Sequence, residues 1–223
     1  MTISEAIAAR HSVRSYLDKP IPEETVDALK GEIDVCNKEG GLHIQLVTGE
    51  PKAFDGIMAH YGKFSGVQNY IALVGTKSAG LDEALGYYGE RIVLRAQTLG
   101  LNTCWVAMTF SKGTAKKHIA INAGEKLAVV IALGFGATQG VAHKTKPMEA
   151  LCTASGDMPE WFKAGMEAAI LAPTATNQQK FRISLSGDTV KIEDIGGPYS
   201  GIDLGIVKYH FEAGAHKDNF RWA

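Results

Sequence analysis

The chain has 223 residues, 45% of them hydrophobic, enough to bury a sizeable core as one domain or as two closely fused halves. Its net charge is −1 and its 23 Lys and Arg are scattered, so neither a nucleic-acid footprint nor an anionic-membrane surface is expected. Cys36, Cys104 and Cys152 lie far apart without a CxxC spacing, which argues against a zinc site or a disulfide framework and fits a reducing cytoplasm.

Taken in chain order, the sequence alternates helical and strand patterns. Thr2-Ile3-Ser4-Glu5-Ala6-Ile7 offers a polar N-cap, a nearby acid and apolar spacing for a first helix that Arg10 to Ser15 closes. After Pro20-Ile21-Pro22, residues 23–36 read as a second helix with acids in its first turn, and residues 42–47 alternate as a strand. Residues 69–75 form a more buried strand. A long helix follows, with Ala84, Tyr88, Ile92, Ala96 and Leu99 on one face and Gly100 ending it. Residues 103–108 and 128–134 are further strands, the second a near-continuous apolar run suited to the middle of a sheet. The most apolar run, Lys126 to Phe135, is too short to span a bilayer, and no secretory leader pattern opens the chain. A soluble cytoplasmic protein is expected.

The last third repeats parts of the first. Met158-Pro159-Glu160 opens a helix through Leu171, followed by a strand at residues 181–185, so Pro159, Glu160 and Ile183 match Pro22, Glu23 and Leu46 without a gap. Residues 204–214 match 90–100, with Ile-Val and the terminal Gly in register. Matches of this strength also arise by chance in chains of this kind, but a true duplication would let one chain build an interface that other proteins make by dimerisation.

Two polar runs stand out from this pattern. Arg10, His11, Ser12 and Arg14 gather two guanidiniums, an imidazole and a hydroxyl within five residues. Cations at a helix end are ordinary, yet guanidinium forks also suit a phosphate or a carbonyl edge. The second run, Pro173-Thr174-Ala175-Thr176-Asn177-Gln178-Gln179, either is a plain helix-to-strand loop or presents its amides to the edge of a planar heterocycle. His143-Lys144-Thr145-Lys146 follows a strand and Gly134-Phe135-Gly136, as a solvated loop or a phosphate clamp. There is no GxGxxG after a strand, Walker loop, GxSxG elbow or HExxH helix, and no metal site is expected.

These runs, together with Leu99-Gly100-Leu101-Asn102-Thr103-Cys104-Trp105-Val106 and Gly134 through Pro147, make the chain resemble the nitroreductase-like FMN-dependent oxidoreductases. One departure is plain. In that family the proline-and-asparagine motif follows the arginine motif within some thirty residues, whereas residues 32–39 here lack it and it stands in the second half. The resemblance is therefore to the single-chain, internally duplicated subgroup. It implies an α+β fold, a nitroreductase-like α/β/α sandwich with a mixed central sheet and two fused pseudo-symmetric halves, residues 1–150 and 151–223.

By the same resemblance, one FMN is held at the pseudo-interface of a monomer. Arg10, Lys144 and Lys146 would hold its phosphate, and His11 belongs to the same basic run. Ser12 and Arg14 would face the ribityl and pyrimidine edge, with Lys63 a further candidate there, and Trp105, Val106 and Ala107 would pass close to the ring. Pro173, Thr174, Asn177 and Gln178 would supply the opposite wall. The implied reaction passes hydride from NADH or NADPH through flavin N5 to a small-molecule acceptor such as a nitroaromatic or quinone, with no catalytic side chain assigned. A non-catalytic flavin sensor, a related flavin reaction such as reductive dehalogenation, and a cofactor-free binding module remain open alternatives.

Overall fold

The chain forms seven α-helices and eight strands, described for residues 1–223 by a computed structural model. The helices are α1 (Ile3–Ala9), α2 (Glu23–Gly40), α3 (Ile57–Tyr61), α4 (Leu81–Thr98), α5 (Lys112–Ala115), α6 (Glu160–Ala169) and α7 (Ser200–Ala215). The strands are β1 (Gln45–Val47), β2 (Asn69–Thr76), β3 (Asn102–Val106), β4 (Glu125–Gly134), β5 (Cys152–Ala154), β6 (Phe181–Ser186), β7 (Thr189–Asp194) and β8 (Arg221–Trp222). Residues 9–81 and 91–142 make one compact unit, and residues 1–8, 82–90 and 143–223 make another. No helix is long and apolar enough to cross a membrane.

Local signals account for the helix ends. Thr2 and Glu5 form a reciprocal capping box: the Thr2 N–H donates to the Glu5 carboxylate at 2.7 Å and the Glu5 N–H to Thr2 Oγ1 at 3.2 Å. Helix α2 buries Leu29, Ile33 and Cys36 at helical spacing. It runs four residues past the expected end at Cys36, because the Asn37 amide bonds both the N–H and the carbonyl of Ile44 and ties this last turn to the approach to β1. Gly41 then stops it at φ 60°. Arg91 on α4 reaches back to Glu32 and Glu39 of α2 at 2.6 and 2.7 Å.

The sheet of the first unit has the order β1-β2-β4-β3 and is antiparallel throughout. This corrects the expectation of a mixed central sheet. Strands β2 and β3 do run the same way, but β4 lies between them and pairs antiparallel with both, so their shared direction produces no parallel ladder. Val47, Tyr70, Ala72, Val74, Cys104, Val106, Val130 and Ala132 pack with Phe54, Phe64, Phe110, Val13 and Tyr16 into one apolar cluster. At about 1.5–3 kcal/mol for each fully buried large side chain, this cluster is the main cohesive element of the unit.

The second unit carries the mixed sheet, of order β5-β6-β7-β8, in which β5 runs parallel to β6 and β7 parallel to β8. Helices α6 and α7 lie close together. A Cβ on Gly214 would stand 2.4 Å from the Ala164 carbonyl oxygen, so only glycine allows that approach. Phe162, Phe211, Phe220 and Trp222 interlock edge to face around the contact.

Candidate functional site

Helix α1 ends at Ala9, and the following segment is held as an extended strap. Ser12 pairs in parallel with Thr103 on β3, and the Val13 N–H donates to the Thr103 carbonyl at 3.0 Å. Tyr16 and Arg14 exchange backbone bonds with Ser65 at 2.9 and 3.0 Å, and the Leu17 N–H donates to Phe135 O at 2.8 Å. Val13 and Tyr16 point into the core, where the Tyr16 hydroxyl donates to Val13 O at 2.7 Å. Arg14, between them in sequence, is left exposed.

These pairings bring three distant segments around one groove of about 420 Å³, lined by Arg14, Tyr61, Gly62, Lys63, Phe64, Trp105, Val106, Ala107 and Thr109. The Arg14 guanidinium carbon lies 6.0 Å from the Phe64 ring centroid. Lys63 has φ 60°, a left-handed conformation uncommon outside glycine, at the turn that closes α3. No acidic side chain lines the groove. Beneath it, burial pushes the Cys104 thiol up, against the opposing influence of Arg14, a Ser12 hydrogen bond and Arg10. Burial likewise raises the Tyr16 hydroxyl well above its usual range. Both groups are therefore uncharged at neutral pH, and the positive charge of Arg14 and Lys63 stands unopposed from below.

Of the residues expected in a site, Arg14, Lys63, Trp105, Val106 and Ala107 share this groove. Arg10 does not line it and is only 3% exposed, and His11 packs so close to the Phe135–Gly140 turn that a Cβ on Gly140 would stand 2.7 Å from its own Cβ. Ser12 lies behind Arg14, against Cys104. Tyr61, Gly62, Phe64 and Thr109 escaped the sequence reading; an aromatic side chain that is 81% exposed, Tyr61, is a signal visible only in three dimensions.

Lys144, Lys146, Asn177 and Gln178 come together in the second unit. Asn177 Nδ2 donates to Lys144 O at 2.8 Å, and Lys146 Nζ donates to the carbonyls of Gln178 and Gln179 at 2.9 Å each. Gln179, 3% exposed, accepts the Lys146 N–H at 2.8 Å and donates to Lys144 O at 2.8 Å. Pro173 and Thr174 are half-buried where this loop begins, and the Thr174 hydroxyl accepts the Gln179 N–H at 3.0 Å. The amides that the sequence offers to a ligand thus also hold the loop to the basic segment.

Residues 2–215 match the model of a protein family described as "Putative TM nitroreductase". The chain belongs to the TM nitroreductase family. Among solved structures, the nitroreductase-family chain is similar to a protein of Thermotoga maritima MSB8 described as a nitroreductase, at 25% identity, with a TM-score of 0.66 over 98% of this chain and 85% of that one. A Desulfovibrio desulfuricans protein, described as a nitroreductase in complex with FMN, shares the fold at 20% identity and a TM-score of 0.54, over 68% of this chain and 95% of that one. A Bacteroides thetaiotaomicron protein, described as an NADH dehydrogenase/NAD(P)H nitroreductase, does so at 20% identity and a TM-score of 0.51, over 67% and 95%. No curated protein matches the sequence. The two sheets and seven helices are accordingly a nitroreductase-like α+β fold, and the family makes the chain an oxidoreductase.

Proposed function

We propose that this nitroreductase-family protein is an FMN-dependent enzyme whose isoalloxazine occupies the groove of Arg14, Lys63 and Trp105–Ala107. The convergence of a guanidinium, an ammonium and an aromatic wall on one groove free of acids carries this reading. The residues present fit a flavin: a volume of about 420 Å³ lies in the small-molecule range, and two cations suit the electron-rich pyrimidine edge of the ring. When bound, FMN supplies two-electron redox chemistry between NADH or NADPH and an acceptor such as a nitroaromatic or quinone.

The chain's own residues bind and orient rather than transfer protons. Arg14 and Lys63 attract negative charge at one edge of the groove, Phe64 and Trp105 give it apolar walls, and the end of β3 carries its main chain past it. Arg10, His11 and Ser12 support this cluster from behind. Lys144, Lys146, Pro173, Thr174, Asn177 and Gln178 enter the proposal on their sequence motif, as contacts to the cofactor. An internal duplication is supported by the matched residues falling in the same kinds of element: Pro22 and Pro159 cap α2 and α6, Leu46 and Ile183 lie in β1 and β6, and Ile92 and Ile206 lie in α4 and α7. A monomer in light scattering would accord with it.

The absorbance spectrum of the purified protein, followed by anaerobic titration with NADH and NADPH, tests the proposal. A yellow protein bleached by one of the two supports it. A colourless protein that fails to bind added FMN ends it, and a flavin that neither nucleotide reduces restricts the protein to binding.

A further inference from the structure

The Thr174–Gln179 loop departs from the backbone conformations that its residues prefer. Thr176, Asn177 and Gln179 have φ of 51°, 57° and 46°, and none is a glycine. Such a run persists only where surrounding bonds over-determine it. Part of that restraint comes from the Lys144–Lys146 segment, through its bonds with Asn177, Gln178 and Gln179. The Thr174 hydroxyl and the Pro198 carbonyl add one bond each, to Gln179 and Gln178, and a further restraint comes from one carboxylate. Asp203, near the start of α7 and 7% exposed, accepts the Ala175 N–H through both oxygens, at 2.9 and 3.1 Å, and the Gln178 Nε2 amide at 2.7 Å.

The surroundings leave that charge uncompensated. All of its bonded partners are neutral. Asp194, at the end of β7, adds a like charge. On α4, Asp82 packs against Gly201 and Glu83 is paired with Lys208 of α7. Lys146 is engaged with carbonyls, and Lys180 lies against Gly197. A buried carboxylate held by neutral donors is better solvated by water than by this site.

We propose that Asp203 makes the Thr174–Gln179 loop a pH-responsive flap: the carboxylate anchors the closed loop, while hydration of its charge draws the loop open. Burial pushes its pKa from 3.8 up to about 6, outweighing the bonds from Gln178 and Ala175 that lower it. The closed loop thus holds the proton more tightly than an open, hydrated Asp203 does. By linkage, protonation favours closure, and ionisation as pH rises from about 4 to about 6 favours opening, by on the order of 100-fold. Above that window the effect is complete. The flap is loosest at neutral pH.

Hydrogen exchange of the 174–180 amides in the whole protein, between about pH 4 and pH 8 and corrected for intrinsic exchange, tests the flap. The opening constant should rise on the order of 100-fold up to about pH 6 and then level off, and it should stay flat in Asp203→Asn. A flat wild-type profile, or an unchanged rise in Asp203→Asn, overturns the proposal. Should Asp203→Asn fail to fold, Thr176→Gly keeps the carboxylate and relieves one strained residue. Opening should then fall at every pH with the midpoint still near 6, and a midpoint at an ordinary carboxylate value overturns the proposal equally. Because exchange is read without FMN, failure of the flap is distinguishable from failure of the flavin reading.

Discussion

His210 Nε2 lies 2.9 Å from Glu90 Oε1, and both side chains are fully buried. The other ring nitrogen, Nδ1, stands 3.0 Å from the Ala168 carbonyl and must donate to it, so a second proton is shared between the imidazole and the carboxyl. His210 thereby joins α6, α7 and the middle of α4.

Removing one partner leaves the other buried without its proton link. His210→Ala should cost about 3–5 kcal/mol of unfolding free energy in urea, most of it from breaking the buried bond to Glu90. The pair Glu90→Leu with His210→Leu should recover a large part of that loss. A His210→Ala loss below about 1 kcal/mol would show that the bond contributes nothing net.

Arg14 is exposed and meets the core only where its guanidinium lies 6.0 Å from the Phe64 ring, so its replacement should leave the fold intact. Arg14→Ala should weaken FMN binding by about 10- to 100-fold, the equivalent of about 1.5–3 kcal/mol for a bond to a charged group, and lower the flavin potential. Fluorescence titration with FMN and a redox titration measure the two effects. Unchanged affinity and potential, with an unchanged circular dichroism spectrum, would remove Arg14 from the site.

The strap that presents Arg14 depends on Gly66. This residue has φ +67°, and a Cβ there would lie 2.3 Å from the Tyr16 carbonyl oxygen, which is main chain and cannot swing aside. Gly66→Ala should cost about 3 kcal/mol, combining left-handed strain with overpacking, and lower the melting temperature. Its flavin affinity should fall with the displaced Arg14. A variant as stable as the parent would mean that the Ser65 pairing is not what holds the strap.

All three cysteines are buried, and burial is the first cause that raises each thiol, Cys36 up to about 12. At pH 8 almost no thiolate is present, so Ellman's reagent should react with none of the three in the native protein and with all three in denaturant. Rapid native labelling of Cys104 would show that the floor of the groove opens to solvent.

Helices α2, α4 and α6 and strands β2 and β4 were legible because their signals are local. Apolar spacing, Pro22 and Pro159 at helix starts, and Gly100 at a left-handed stop all lie within or beside the element they define. Strand β7, with only Val190 buried, and the short β5 and β8 gave too little apolar alternation to be found. The mixed central sheet failed for a different reason: which strand lies between β2 and β3 is a matter of pairing between residues 24 to 64 positions apart, and no periodicity encodes it.

The candidate site divides the same way. Sequence by itself determined the helices and main strands, the resemblance to nitroreductases and the basic character of Arg10 to Arg14, because residue type and short-range spacing carry them. Only the tertiary structure decided that Arg14 meets Lys63, Phe64 and Trp105 while Arg10 turns inward, and that Asp203 restrains the Thr174–Gln179 loop. The physical reason is that backbone pairing of Ser65 with Arg14 and Tyr16, fifty residues apart, and the burial of one carboxylate are collective outcomes of packing.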